Sequence, residues 1–203
     1  MSTARRTGRP RKRAGATPTR DRLVDAAIAV FVEQGFGQAS VTEIAERAGI
    51  SGPAVYKHFD GKADLLIEAA RRSLDSSFAD LSPAPRTPVD IALRWLSDDF
   101  APTRRLLVDL HLSAGRNVDL AALLAEWHLE RARAWQHEHD SPDPTHDVPS
   151  LAQIEAYYLL LLGLAQVDSL AALDADRTEL RLHVARMVDA VFTEPTDARP
   201  IDS

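Results

Sequence analysis

Apolar residues recur along most of the chain at the three- and four-residue spacing of amphipathic helices. The first such segment, "TRDRLVDAAIAVFVEQG", places its apolar positions on one helical face: Leu23, Ala26, Ala27, Val30 and Phe31. Thr19 is suited to cap the start of this helix, and Gly35 is suited to end it, because glycine adopts the backbone conformation found at helix C-termini. The pattern therefore predicts a helix over residues 19–35.

Three further helical segments follow before residue 80. "VTEIAERA" has helical spacing and is cut by Gly49. In "SGPAVYKHF", Ser51 can cap a helix and Pro53 fits its first turn, where the missing N–H would have no intrahelical partner. Another helix is predicted to begin near Lys62.

The proline-rich stretch "LSPAPRTP" interrupts the pattern and marks a boundary. Beyond it, the spacing predicts helices near residues 88–100, 103–114, 117–138, 150–173 and 176–192. The Pro- and Asp-rich stretch "DSPDPTHDVPS" is predicted to be a loop. Since no segment alternates convincingly between apolar and polar residues, the prediction is an all-α fold.

Length and composition narrow the class of protein. The 203 residues suffice for one large domain or two small ones. There is no cysteine, which excludes disulfides and thiolate metal sites and fits a reducing compartment. No apolar segment of signal-peptide length follows the N-terminus, and the apolar stretch "AYYLLLLGLAQV" is too short to span a bilayer. We therefore expect a cytoplasmic protein with no membrane partner.

The charge is unevenly distributed along the chain. Residues 1–80 hold 13 Lys or Arg against 10 Asp or Glu, whereas residues 81–203 hold 11 against 20. Six of the basic residues lie in the dodecapeptide "ARRTGRPRKRAG", which contains no acid. Such a run is either a solvated terminus or an arm that binds a polyanion. A basic N-terminal part followed by an acidic C-terminal part favours contact of the N-terminal part with nucleic acid.

The stretch "VTEIAERAGISGPAVYKHFDGKADLL" has the spacing of a helix-turn-helix. A small residue at Ala45 lets two helices cross closely, Gly49 can take positive φ in the turn, and Val55 supplies the apolar side of the second helix. The alternative is that any two short packed helices show this spacing.

The polar side of the second helix favours the DNA-binding alternative. Tyr56, Lys57 and His58 crowd one turn, and Lys62 lies where a new helix begins. A Lys there opposes the helix dipole unless an anion such as phosphate binds to it and to the exposed N–H groups. In the alternative interpretation Tyr56 packs in the core, while His58 and Lys62 are solvated.

The same stretch resembles the DNA-binding signature of the tetracycline-repressor (TetR) family of transcriptional regulators. The matching positions are Ile44-Ala45, Ala48-Gly49-Ile50-Ser51, Tyr56, His58-Phe59, Lys62 and Leu65-Leu66. The resemblance covers roughly residues 19–70 and implies three parts. These are a basic disordered arm over 1–18, a three-helix DNA-binding domain over 19–65, and a helical ligand-binding and dimerisation domain over 66–203.

The resemblance also implies roles for single residues. Thr42 would reach a base edge or a phosphate. The major groove would be faced by Ser51, Gly52, Pro53, Ala54 and Lys57, and the phosphate backbone would be held by Tyr56, His58 and Lys62. Because Gly52, Pro53 and Ala54 offer few hydrogen bonds, direct base readout would rest on Lys57 and Thr42.

The second part of the chain would then dimerise. Members of the family pair through their two final helices, and "IEAYYLLLLGLAQVDSLAAL" and "RTELRLHVARMVDAVF" are suitable segments. In the last segment the apolar stripe comprises Leu180, Val184, Met187, Val188 and Val191. A homodimer would match a palindromic operator, whereas in the alternative both helices only complete the monomer's core.

The resemblance further implies a pocket for a small, mostly apolar effector. The candidate lining residues are Trp95, Phe100, Leu107, Leu110, His111, Trp127, Tyr157, Tyr158, Leu161 and Gln166. For each residue the alternative is a place in the core. His111, Tyr158 and Gln166 are the strongest candidates, because polar groups on apolar stretches need partners.

Other functions find less support in the sequence. His137 and His139 flank Glu138 in "WQHEHD", but residues two apart do not share a helix face, so a surface cluster is favoured over a metal site. No catalytic constellation or phosphate loop stands out, so neither an enzyme nor a cofactor is expected. The rival to a ligand-responsive repressor is an architectural DNA-binding protein that depends on the basic arm and tolerates any sequence.

The basic arm adds a second candidate DNA contact. "TGRPRKR" is similar to the AT-hook core, in which arginines lie in narrow minor grooves. About ten residues separate it from the first helix, which lets an extended arm reach the groove beside a docked recognition helix. We expect Arg9 and Arg11 to read A·T-rich flanks, with a purely electrostatic arm as the alternative.

Overall fold

The computed structural model describes residues 18–79, 87–138, 148–167 and 176–193, and every regular element within these ranges is helical. The α-helices are α1 (Thr19–Gln38), α2 (Val41–Arg47), α3 (Gly52–Val55), α4 (Lys62–Phe78), α5 (Pro88–Trp95), α6 (Ala101–Ala114), α7 (Val118–Glu138), α8 (Leu151–Leu164) and α9 (Arg177–Phe192). A 3₁₀ helix, Asp98–Phe100, joins α5 to α6. The predicted all-α fold is confirmed. Arg9, Arg11 and His139 lie outside the described residues.

Helix α1 begins and ends differently from the prediction. Pro18 occupies the N-cap position, so Thr19 is the first helical residue and not the cap. Gly35 has φ 75° and ψ 165°, which interrupts the helix where its end was predicted. One more helical turn then follows as far as Gln38. Glycine permits this kink, because a Cβ atom would strain a backbone with positive φ.

Helix α3 is shorter than the predicted helix over "SGPAVYKHF". Only Gly52–Val55 is α-helical, and the chain continues as turns in which the amides of His58 and Phe59 both donate to the Val55 carbonyl, at 2.8 and 3.1 Å. Ser51 precedes the helix but its side chain makes no capping hydrogen bond. The amides of Lys57 and His58 donate to carbonyls three residues earlier, those of Ala54 and Val55, so the backbone tightens and the α-helix ends.

The remaining helices follow the predicted order with altered bounds. The predicted helix 88–100 divides into α5 and the 3₁₀ helix, and α6 begins two residues before the predicted position 103. Helix α8 ends at Leu164, whereas the prediction extended to residue 173. Helix α4 runs through the predicted domain boundary at residues 65 and 66, so that boundary lies inside a continuous helix.

Helices α1, α4 and α6 form the centre of the molecule. Helix α1 packs on both α4 and α6, α4 also packs on α7, and α5 packs on α8 and α9. Fully buried side chains on α1 and α4, such as Leu23 and Leu66, belong to the same apolar cluster as Leu110 on α6. The helix-turn-helix and the second part of the chain thus share one core. Within the described ranges, none of the helices is long and apolar enough to cross a membrane.

Candidate nucleic-acid interface and cavity

Helices α2 and α3 present most of the predicted DNA-binding residues to solvent. Thr42, Ser51, Pro53, Tyr56, Lys57 and His58 are exposed, and Gly52 and Ala54 are partly exposed. The Tyr56 side chain is 62% exposed, which contradicts the alternative that it packs in the core. These residues share one surface, since α2 packs directly on α3 and the turn after α3 follows on.

Buried residues behind this surface fix the angle between the two helices. Ile44, Ala45 and Val55 are completely buried, as expected for a helix-turn-helix with a small residue at the crossing. The Ser40 hydroxyl caps α2 by accepting from the Glu43 amide at 3.1 Å. Gly49 has φ 68°, so the turn uses the left-handed conformation predicted from the sequence. Exposed residues on α3 are therefore held by a rigid core.

Lys62 has different contacts from those predicted. Its Nζ donates to the carbonyls of Phe36 and Ala39, at 2.5 and 2.9 Å, and lies 4.3 Å from the centroid of the Phe36 ring. Burial lowers the pKa of this ammonium, and the charge of Asp109 acts in the opposite direction. These carbonyls are available because they lie at the C-terminal end of α1, where the last C=O groups have no intrahelical partner. Lys62 thus holds the α1–α2 junction.

Asp109 on α6 contacts the same junction from the other side. Its Oδ2 accepts from the Phe36 amide, the first amide after the kink. A Cβ atom on Gly35 would lie 3.5 Å from that oxygen, an ordinary van der Waals contact, so the glycine is required by its positive φ and not by lack of space. Helix α6 therefore makes a direct hydrogen bond to the part of the molecule that carries α2 and α3.

A cavity lies on the far side of α6, among α4, α5, α6, α7 and α8. The cavity has a volume of about 50 Å³. It opens into a cleft, and the empty space of cavity and cleft together, including the part open to solvent, is about 490 Å³. Its lining is mostly apolar and comprises Leu74, Phe78, Ile91, Trp95, Leu107, His111, Trp127, His128, Arg131, Tyr158, Leu161 and Leu162.

The structure brings most of the predicted ligand-binding residues together. Trp95, Leu107, His111, Trp127 and Tyr158 all line the cavity. Leu161 lines it as well, whereas four of the ten candidates, Phe100, Leu110, Tyr157 and Gln166, do not. The Phe100 side chain is fully buried behind the lining, with its ring centroid 5.2 Å from that of Trp95, and Gln166 is exposed after the end of α8.

The sequence analysis missed two polar lining residues, His128 and Arg131. His128 follows Trp127 and lies on an apolar helix, which is the same signal that singled out His111. Arg131 follows one turn later on the same face of α7. From the sequence alone, a charged residue at this position is expected to lie on a solvated surface. Its place in the cavity depends on tertiary packing.

The two histidines of the cavity form a hydrogen-bonded pair. His111 Nδ1 lies 2.7 Å from the Leu107 carbonyl oxygen, which can only accept, so Nδ1 carries the proton. His111 Nε2 is then an acceptor in the neutral ring, and His128 Nε2 donates to it across 3.0 Å. This arrangement leaves His128 Nδ1 buried with no hydrogen-bond partner among the described residues.

Burial keeps both rings neutral. Desolvation lowers the pKa of His111, against a smaller opposite effect of the Leu107 carbonyl. Desolvation also lowers the pKa of His128 to about 4, and His111 and Arg131 add to the effect. A neutral His128 presents a bare acceptor at Nδ1. The Trp95 indole Nε1–H is likewise buried and unpartnered within the described part of the chain.

Tyr157 and Tyr158 differ in their surroundings although they are neighbours on α8. The Tyr157 hydroxyl donates to the Pro88 carbonyl at 2.6 Å, which ties α8 to the start of α5. Burial raises the pKa of both phenols. Only Tyr158 of the two lines the cavity, so Tyr157 is a residue of the core.

The predicted stripe on α9 serves the core of the monomer for the most part. Val184 and Val188 are completely buried, whereas Met187 is 45% exposed. Large apolar side chains remain on the outer surface of α8 and α9 at Leu159, 65% exposed, and Leu182, 51% exposed. The two helices thus contribute to the core and also carry an uncovered apolar surface.

Comparison with known proteins identifies the first part of the chain. Residues 23–69 match the family described as bacterial regulatory proteins, tetR family. The HTH-type transcriptional activator FasR of Mycolicibacterium smegmatis is 39% identical over 71 residues, which are 35% of this chain and 32% of that protein. Other curated relatives are matched over about a quarter to a half of their length.

Solved structures agree with the fold over nearly the whole chain. GusR of Salmonella enterica has a TM-score of 0.64 at 20% identity, covering 86% of this chain and 95% of that one. The multidrug binding protein EbrR, solved in complex with imidazole, has a TM-score of 0.59 at 20% identity, covering 92% and 99%. Residues 23–69, which hold the helix-turn-helix, therefore match the tetR family of bacterial regulatory proteins, and the described helices share the fold of these solved structures.

Proposed function

We propose that the protein is a ligand-responsive transcriptional repressor that binds a palindromic operator as a homodimer. The observation that carries the proposal is the exposed polar surface of α2 and α3, held by completely buried residues within the segment that matches the family. The proposed division of the chain is a basic arm over 1–18, a DNA-binding domain over 19–65 and a ligand-binding and dimerisation domain over 66–203.

The proposed DNA contacts follow from exposure and chemistry. Lys57 and Thr42 supply the hydrogen bonds to bases, while Ser51, Gly52, Pro53 and Ala54 allow close approach to the major groove. Tyr56 and His58 hold the phosphate backbone. Lys62 acts from inside, since its ammonium fixes the α1–α2 junction from which Thr42 projects.

The proposed dimer uses the outer surface of α8 and α9. Leu159 and Leu182 are more than half exposed there, and a second copy would remove them from water. A two-fold dimer places two recognition helices about 34–36 Å apart, one turn of B-DNA, on the two halves of a palindrome.

The proposed effector site is the cavity between α4 and α8. Its lining is mostly apolar and contains few polar groups, as in small-molecule sites generally. EbrR, which shares the fold, is named a multidrug binding protein. Asp109 and the residues Leu107 and His111 lie on the same helix, so a ligand that displaces α6 also changes the contact at Phe36. The effector would then favour a state that releases the operator.

Gel-shift assays against the DNA flanking its own coding region test the proposal. We expect a sequence-selective complex that survives moderate salt and is lost in a Lys57→Ala, Tyr56→Ala variant. Deleting residues 1–17 should weaken binding but keep selectivity. Equal affinity for all duplexes, with collapse of binding on deletion of the arm, would instead identify an architectural DNA-binding protein.

A further inference from the structure

The cavity has one polar side with hydrogen-bonding capacity that the protein leaves unused. Trp95 is 5% exposed, and its indole Nε1–H has no acceptor among the described residues. His128 Nδ1 is also buried without a partner there, and Arg131 lines the same cavity. Buried polar groups of native proteins nearly always have partners, so unpaired groups in a cavity point to a bound molecule.

The charge on this side of the cavity is not neutralised by a neighbouring acid. Across the described ranges, no Asp or Glu oxygen lies within 4.0 Å of the Arg131 guanidinium. By contrast, Arg71 and Arg94 pair with Glu130 and Asp99, at 2.5 and 2.7 Å. The Arg131 Cζ instead lies 5.7 Å from the centroid of the Trp127 ring, and the guanidinium also interacts with the Tyr158 hydroxyl, where it opposes the rise in the phenol pKa. With five N–H donors, Arg131 keeps donors for a further acceptor in the lining that it shares with Trp95 and His128.

Away from Arg131 and the histidine and tyrosine side chains, the walls of the cavity are apolar. Its other walls are formed by the side chains of Leu74, Phe78, Ile91, Leu107, Leu161 and Leu162. No carboxylate belongs to the lining, so a cationic ligand would find repulsion from Arg131 and no counter-charge.

We propose that the effector of this protein is an amphipathic monocarboxylate, whose head group accepts hydrogen bonds from the Trp95 indole and the Arg131 guanidinium and whose apolar body packs against the leucine-lined walls. The inference rests on the proposed function in taking the cavity as the effector site. A carboxylate fits because it is acceptor-only and pairs with a guanidinium in matching geometry. A neutral alcohol satisfies the hydrogen bond of Trp95 but leaves the charge unpaired.

The histidine pair responds to such a head group. The groups that face His128 are His111 on α6, Arg131 on α7 and Tyr158 on α8, and none of them is an anion. A bound carboxylate would be the first negative charge beside the ring and would favour Nδ1 protonation, which converts a bare acceptor into a donor. Binding should therefore raise the pKa of His128 from about 4 and take up protons at mildly acidic pH.

The test uses the full-length protein without DNA, so its result does not depend on whether the operator has been identified. Calorimetric affinities are compared for hexanoate, 1-hexanol and hexylamine, which share a six-carbon body and differ in the head group. We expect hexanoate to bind at least about tenfold more tightly than hexanol, as for a charge-assisted pair, and hexylamine to bind weakest. Proton uptake is read from hexanoate titrations in buffers of different ionisation enthalpy.

Two variants of the same helix assign the head-group contact. Arg131→Gln should remove the preference for hexanoate over hexanol, whereas Arg133→Gln, which changes an exposed arginine, should keep it. Trp95→Phe should weaken hexanoate binding more than hexanol binding. Equal or tighter binding of hexanol, absence of hexanoate binding, or a preference that survives in a folded Arg131→Gln protein would overturn the proposal. If no operator is found but the protein still prefers hexanoate to hexanol, the result contradicts the proposed function and leaves the proposed ligand class standing.

Discussion

Gly35 shows how one residue shapes the junction between the DNA-binding surface and the rest of the molecule. Its positive φ interrupts α1, and the Phe36 amide that follows the kink donates to Asp109. The carbonyls that hold Lys62, those of Phe36 and Ala39, belong to the short turn that follows this kink. A single glycine therefore supports contacts from both α4 and α6.

Replacing this glycine should destabilise the protein measurably. Gly35→Ala forces a Cβ into a left-handed backbone, which costs about 1–2 kcal/mol in free energy of unfolding. Gly37→Ala is the matched control, because Gly37 lies two residues on in an exposed helical turn with open space around it. The control should be neutral or slightly stabilising. Urea denaturation measures both, and equal values for the two variants would contradict the role given to Gly35.

At the scale of the elements, the sequence predicted the presence and order of the helices more accurately than it predicted their ends. Periodicity places the helices because their apolar faces are buried, and the capping residues Thr87 and Ser150 begin α5 and α8 as local chemistry dictates. The early end of α3 could not be predicted from the residues that start it, and neither could the contacts of Lys62. They depend on carbonyls supplied by another helix.

For the cavity, too, the sequence indicated single candidate residues but not which of them lie together in the folded protein. Trp95, His111 and Tyr158 could be chosen from the sequence because each is aromatic or polar on an apolar stretch. Which of them share a space depends on how α5, α6 and α8 pack, and so Gln166 was wrongly grouped with them. Arg131 looks like a surface residue until α7 is placed against α4 and α6.

The contact between α6 and α7 should make stability depend on pH. His128 in the folded protein has a pKa of about 4, against an ordinary value of 6.5 in the unfolded chain. Between these values the unfolded state binds the extra proton, so stability that is fully present above pH 6.5 falls as the pH drops towards 4. Because the ring is partly solvated, we expect about 1–2 kcal/mol of this loss to arise from His128.

Denaturation at pH 7 and pH 4.5 isolates this contribution when wild type and His128→Gln are compared. The variant should lose less stability than the wild type over this interval. His183→Gln is the control, since His183 is exposed on α9 and its replacement removes no buried imidazole. A loss of the same size in wild type and His128→Gln would show that other groups, such as the surface carboxylates, account for the pH dependence.

At the scale of the whole molecule, the proposed recognition of a palindromic operator requires a second copy of the chain. One recognition helix as short as α3, bearing glycine and proline, makes too few base contacts for a selective site, and a dimer doubles them. The surface that remains for pairing is the outer side of α8 and α9. Along α8 the exposed positions are Leu151, Ala152, Glu155, Ala156, Leu159 and Gly163, mostly small or uncharged residues. Small side chains of this kind allow two helices to approach closely.

Leu159 lies at the centre of that surface and offers the sharpest test of the dimer. Leu159→Glu should leave the monomer folded, because the side chain is 65% exposed, but should place a charge in the apolar interface. We expect sedimentation velocity to show a dimer for the wild type and a monomer for the variant, with operator affinity lowered at least about tenfold. Leu112→Glu is the control, since Leu112 is 67% exposed on α6, away from α8 and α9. A wild-type monomer, or a Leu159→Glu dimer that binds DNA normally, would show that the molecule does not pair through these helices.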